Sequence, residues 1–173
     1  MNNNQVSNKT FKELIQCLEQ EIGLYQEMSK AIQNKQNAIV SGDIEKLREY
    51  VSSEKSFIKE SMELAEGRKN IQSRISDQFK LDNREPKLKL IIEIAPPREA
   101  IQLSNLRYRL KAVLNDITRI NNENRLLLDF SIEHVKGMAH LFLNIKDEDH
   151  DIYDMDGVVK LKNADNKMLD YQI

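Results

Sequence analysis

Apolar residues recur at intervals of three and four along three stretches of this chain, the spacing of helices that bury one side each. The first stretch carries Phe11, Leu14, Ile15, Leu18, Ile22, Tyr25, Ile32 and Ile39, with Lys12, Gln16, Glu19, Gln20, Gln26, Glu27, Lys30 and Gln33 opposite. Thr10, with Glu13 three positions on, predicts a capping box at its start. Ser41-Gly42-Asp43 predicts a tight reversal, Gly42 ending one helix in the left-handed conformation and Asp43 capping the next. The second stretch carries Ile44, Leu47, Val51, Phe57, Ile58, Met62, Ala65, Ile71, Ile75 and Phe79 and runs to about Leu81, where Asp82-Asn83 and Pro86 interrupt it.

The third stretch, Arg98 to Ile145, has no Pro and only Gly137, and opens at Pro96 or Pro97. Leu103, Leu106, Leu110, Val113, Ile117, Ile120, Asn124, Leu127, Ser131, Val135, Met138, Leu141 and Ile145 form its seam. At 1.5 Å per residue such a helix is on the order of 70 Å long, against about 45 Å for each of the other two, so roughly 25 Å is expected to overhang them. Asn121 and Asn124 interrupt the seam, either fixing register against a neighbouring helix or meeting a partner directly. Between the second and third stretches, Leu88 to Ile94 is short and apolar. A strand there would have no neighbour to pair with, so a two-turn helix is expected, serving as a cap on the bundle or as a docking patch. The expected class is all-α: an elongated antiparallel, coiled-coil-like bundle of three long helices with a short connecting helix and a flexible C-terminal tail. The expected organisation is a disordered start over residues 1–9, one helical domain over 10–145 and a disordered acidic tail with a partner-binding segment over 146–173.

Composition supports that class: of 173 residues 31% are charged and 6% aromatic, with no Trp, five Gly and three Pro. A formal net charge of −2 gives no basic surplus for phosphates, which argues against nucleic acid and against a membrane surface. The start is polar and asparagine-rich, unlike a secretory signal, and no run approaches the ~18 apolar residues of a membrane span. The lone Cys17 suits a reducing compartment and lies beside Leu14 and Leu18, where packing explains it. A cytoplasmic location is expected.

Catalytic and cofactor chemistry is sought without success. Asp147, Asp149 and Asp151 alternate like the first ligands of a calcium loop, but Ile152 stands where the turn glycine belongs and Val158 where the bidentate glutamate belongs. His134 and His140 are six apart on a helix and point to different sides, and His150 stands alone. Gly23, Gly42, Gly67, Gly137 and Gly157 lie singly, so there is no phosphate loop, and no Ser or Cys sits in a nucleophile elbow. No metal, no cofactor and no enzymatic activity are expected. Beyond Ile145 the pattern collapses into Asp147, Glu148, Asp149, Asp151, Asp154 and Asp156 beside Lys146, a local charge of about −5 that resists burial. Val158, Val159, Leu161, Met168, Leu169, Tyr171 and Ile173 then return apolar groups in a segment too short to fold alone.

The arrangement resembles the FlgN family of flagellar type III export chaperones over nearly the whole chain. The resemblance rests on Ile39 to Leu47 around the Gly42-Asp43 turn, on Glu54 and Arg68, and on Ile120 to Leu127. Within and after that last run, Asn121, Asn124, Leu127, Leu128 and Ser131 match the family pattern of two asparagines followed by apolar residues and a small one; Tyr153 and Gly157 match its closing Tyr and Gly. The acidic run Asp147 to Asp151 and the apolar Leu88 to Ile94 depart from it. The resemblance implies a cytoplasmic chaperone that binds the C-terminal helical part of hook-associated proteins of the FlgK and FlgL type, prevents their premature association and delivers them to the export gate protein FlhA. It also implies that Tyr153, with Gly157, contacts the gate and that the C-terminal part holds the client. Val135, Met138, Leu141, Phe142 and Ile145 at the end of the long helix, with Val158, Val159 and Leu161 beyond it, are the residues expected to do so, in a monomer or weak dimer. Two other readings make similar use of these residues: a structural coiled-coil protein that buries the seam between copies, and a regulator that sequesters another protein by its tail.

Overall fold

The computed structural model describes residues 3–82 and 86–143, and among them four helices follow in order: α1 (Asn3–Ser41), α2 (Ile44–Phe79), α3 (Leu88–Ile94) and α4 (Pro97–Leu143). The chain divides into two units, the first ending at Phe130 and the second beginning at Ser131.

α1 does not start at Thr10. It is helical from Asn3, and Thr10 lies inside it, 1% exposed, accepting a hydrogen bond on Oγ1 from Gln78 Nε2 of α2 at 3.3 Å. Glu13, rather than closing a capping box, meets Arg74 Nη2 at 2.6 Å. No Pro or Gly stands before Thr10 to stop the helix from extending backwards, and α2 supplies partners that a free helix end would lack.

The reversal after α1 forms as its residues dictate. Gly42 takes φ 69°, its N–H donates to the Ile39 carbonyl at 3.2 Å, and the Asp43 N–H donates to the Ala38 carbonyl at 3.0 Å. These are the two closing bonds of a Schellman ending, which needs a residue with positive φ. Asp43 then caps α2, its Oδ1 accepting from the Lys46 N–H at 3.0 Å. That bond, with the Lys46 ammonium beside it, holds the Asp43 carboxyl below its usual range. α2 ends at Phe79, where Lys80 adopts the same left-handed conformation (φ 52°) and the Leu81 N–H bonds the Ser76 carbonyl at 3.0 Å.

Cross-helix partners set the directions. Thr10 with Gln78, Glu13 with Arg74, Glu21 with Arg68 and Lys35 with Glu54 advance along α1 while receding along α2, so the two helices are antiparallel. Phe11, Leu14, Leu18 and Ile22 of α1 share a core with Ile75 of α2, Ile91 of α3 and Leu103, Leu106 and Leu110 of α4. Further on, Ile32 packs with Val113, Ile117 and Ile120. Contacts here advance along both helices together, so α4 up to these residues runs parallel to α1. The short apolar segment is a helix, as expected: Ile91 is fully buried in the first cluster, with Leu88, Ile92 and Ile94 packed against it. Its position is fastened by Gln72 Nε2, which donates to the Pro86 carbonyl at 3.0 Å.

One charged group lies deep in this packing. Glu21 is 1% exposed; its Oε1 accepts from Arg68 Nε at 3.0 Å, and its Oε2 has no hydrogen-bond partner. Burial raises its pKa, and the Arg68 guanidinium offsets only part of that rise. Its neighbours respond in kind. The Tyr25 phenol and the Cys17 thiol are both pushed up by burial first and by Glu21 second. The Cys17 thiol donates weakly to the Leu64 carbonyl at 3.8 Å, so packing accounts for it.

Two backbone positions and one side chain yield measurable expectations. A Cβ at Gly42 would meet nothing within 4 Å, so Gly42→Ala should destabilise by the left-handed backbone term alone, about 1–2 kcal/mol, while Lys80→Gly should stabilise by up to ~1 kcal/mol; urea denaturation checks both signs. Glu21 holds its proton more tightly in the folded chain than at its ordinary value of 4.5. Folding stability therefore falls as pH rises from that value through the raised folded one, then levels. Glu21→Gln removes this slope, so the stability difference should shift in the variant's favour as pH rises above the ordinary carboxylate value of 4.5. A difference that stays flat would mean that Arg68 keeps the carboxylate ionised throughout.

Candidate functional site

The site is built on α4, and a change in its surroundings defines it. Along the seam Leu103, Leu106, Leu110, Val113, Ile117, Ile120 and Asn124 are buried. Leu127 and Leu128 are half-buried. Beyond them the apolar side chains open to solvent.

The last buried position is polar. Asn124, 2% exposed, donates from Nδ2 to the Ile32 carbonyl of α1 at 3.0 Å, while its Oδ1 has no hydrogen-bond partner. One turn earlier, Asn121 Oδ1 accepts from Lys35 Nζ at 3.5 Å, and the same ammonium lies 2.5 Å from Glu54 Oε1 of α2. Glu123 accepts from Gln36 Nε2 at 3.2 Å and from Arg119 Nη1 at 2.9 Å, bonds that hold its carboxyl below the usual range, the Gln36 bond most strongly. The two asparagines thus turn toward α1 and fasten the level at which it meets α4. A carbonyl of a helix has a second lone pair to offer, and the Asn124 amide lies at the level that reaches the one on Ile32.

The second unit begins at Ser131, and its helical part is amphipathic. Val135, Met138 and Phe142 lie three and four positions apart on one side of α4, flanked by Ile132 and Leu141. They are exposed throughout, Leu141 to 80% and Phe142 to 86%. Glu133 and Lys136 pair on the other side at 3.2 Å, a solvated contact that contributes little to stability. Four of the residues expected to hold a client, Val135, Met138, Leu141 and Phe142, therefore share this exposed segment. Ile145, Val158, Val159 and Leu161, and the expected gate residues Tyr153 and Gly157, lie outside the described residues. Ile132 and Leu143 in this unit, and Leu126 and Phe130 at the end of the first, are also large, apolar and more than half exposed. The seam pattern passes over them because they fall out of its period; the signal that finds them is apolar density on all sides of a helix.

Chemically, such a segment binds by covering apolar area. Among the described residues no group of three or more His, Cys, Asp and Glu could hold a metal ion, and no helix is long and apolar enough to cross a membrane. The acidic run considered as a calcium loop lies outside the described residues.

No curated protein and no solved structure matches this chain. A family does: the FlgN protein family matches residues 1–160, which takes in all four helices, the Gly42-Asp43 turn and the Asn121–Asn124 pair. Since the match spans nearly the whole of its 173 residues, the chain belongs to the FlgN family.

Proposed function

We propose that the protein is a cytoplasmic flagellar export chaperone of the type III pathway, without enzymatic activity. It binds the C-terminal helical region of hook-associated proteins of the FlgK and FlgL type, prevents their premature association and delivers them to the export gate protein FlhA. The observation that carries this reading, beside family membership, is the run of exposed apolar side chains on α4 from Val135 to Phe142. Such a run is costly in water unless something covers it. In this reading α1, α2 and α4 form an antiparallel, coiled-coil-like bundle that acts as the rigid holder. A client helix lies along the apolar side of the α4 end.

Magnitudes bear on how far the client site extends. Fully burying four side chains of the size of Val135, Met138, Leu141 and Phe142 gains about 1.5–3 kcal/mol each, or ~6–12 in all. Association itself costs roughly 4–15 kcal/mol. Four residues alone leave little surplus, so Ile145, Val158, Val159 and Leu161 belong to the same client surface. A chaperone must also release its client, and a segment that orders on binding offsets part of its own contact energy. Met138 suits this use because its flexible thioether re-packs against different partners. Tyr153, with Gly157 beyond it, is the residue assigned to the export gate: a phenol has an apolar ring and one hydroxyl to anchor in a pocket.

A chain ending at Ile145 should keep high helical circular dichroism per residue and lose binding of a FlgK- or FlgL-type client in a titration; a truncation that binds as tightly as the full chain would sink the reading. Tyr153→Ala should weaken binding to the cytoplasmic domain of FlhA in the presence of client and leave client binding nearly intact. Equal loss of both would make Tyr153 part of the client site. Sedimentation at micromolar concentration should give a monomer or weak dimer, whereas stable higher assemblies would favour a structural coiled-coil protein.

A further inference from the structure

The pattern of α2 predicts one buried stripe, and the structure divides it. Glu54, Ser61, Leu64 and Arg68 face α1 and bond to it. Ile44, Val51, Ile58 and Met62 do not follow them inward: they are 50%, 41%, 44% and 68% exposed, with Leu47 half-buried among them. Their spacing of three, four and seven keeps them on one side of the helix, beside the face that meets α1. They form an apolar band about five turns, or ~27 Å, long.

Charge borders this band on its free edge. Arg48, Lys55 and Lys59 are exposed and stand along one flank, and a shallow cleft runs between Ile44, Leu47, Val51 and the first two of them. Some basic groups of the first unit find carboxylates, Lys30 with Glu27, Lys46 with Asp43, Arg68 with Glu21, Arg74 with Glu13 and Arg119 with Glu123, while others among the described residues, such as Lys12, Lys87, Arg98 and Arg107, do not. No ion pair among the described residues includes Arg48, Lys55 or Lys59. Glu45 lies three positions before Arg48 and Glu63 four after Lys59, both at pairing distance along a helix, yet neither is used.

We propose that this side of α2 is a docking surface for an amphipathic helix of another protein, one whose apolar seam is flanked by carboxylates. The band supplies the area, and the three unpaired cations select the partner's sign and fix its direction. A second copy of this chain fits poorly. Two bands meeting antiparallel would set the basic rows against each other, and meeting parallel would set each row against the side that α1 occupies. Acidic flanks on a foreign helix meet neither obstacle. The surface is made of residues of α2, none of them assigned to the client.

The test uses the full chain and two labelled synthetic helices of about five turns, each with a leucine seam, one flanked by glutamates and its twin by lysines. Fluorescence anisotropy should show the glutamate-flanked helix binding at least about tenfold tighter, with the difference shrinking as salt rises. Arg48→Glu with Lys55→Glu and Lys59→Glu should reverse the preference, and Val51→Asp with Ile58→Asp should weaken both peptides, circular dichroism confirming that each variant is folded. Equal affinity for the two helices, an unchanged preference in the triple variant, or binding that survives Val51→Asp with Ile58→Asp would overturn the proposal. So would a concentration-dependent dimer of the parent chain that Val51→Asp with Ile58→Asp abolishes. Binding of the hook-associated client should be unchanged in the triple variant, so this result and the chaperone reading stand or fall apart from one another.

Discussion

The first unit depends on α1 having two sides covered at once. One side holds α2 through Glu13, Glu21 and Lys35, each bonded to a residue of α2. The other presents Leu14, Leu18, Ile22 and Ile32 to α4. Helices in proteins owe most of their stability to packing an apolar face, and α2 alone would leave the side of α1 that meets α4 wet. α1 is therefore the element whose burial the others share, and a cavity in its seam would loosen two interfaces together.

Polar groups divide the labour with apolar ones. Apolar area supplies most of the gain but tolerates sliding by a turn, because leucines and isoleucines at every third or fourth place match again one turn on. Arg68 at Glu21, Lys35 between Glu54 and Asn121, and Asn124 on the Ile32 carbonyl do not match again. Each would leave a buried polar group unpaired if the helices slipped, a loss of about 1–3 kcal/mol. Glu21 and Asn124 each already leave one oxygen unpartnered. The polar contacts thus set the level at which the helices meet.

Among the apolar side chains left exposed are two groups that serve binding in the readings proposed above. On α2 the band from Ile44 to Met62 stays open because α1 takes the neighbouring face. On α4 the side chains from Val135 to Phe142 stay open.

Much of this was legible in the residues. The spacing of Leu103 to Ile120 placed the seam of α4, Gly42 and Asp43 placed the reversal, and Pro86 with Pro97 bounded α3, because helical period, positive φ and a missing N–H are local properties. The two asparagines in the seam were legible for the same reason, and the apolar residues at the end of α4 by their period. Other features depended on neighbours distant in the chain. Thr10 has the chemistry of a cap, but α2 gives its hydroxyl a partner and the helix runs back to Asn3. Ile44, Val51, Ile58 and Met62 have the period of a buried stripe, but burial requires an occupant, and the side of α2 that meets α1 is the one carrying Glu54, Ser61 and Arg68. Sequence alone determined where the helices turn and which of their sides are apolar; the tertiary structure decided where α1 begins and which of those sides are covered, because coverage is a property of pairs of helices.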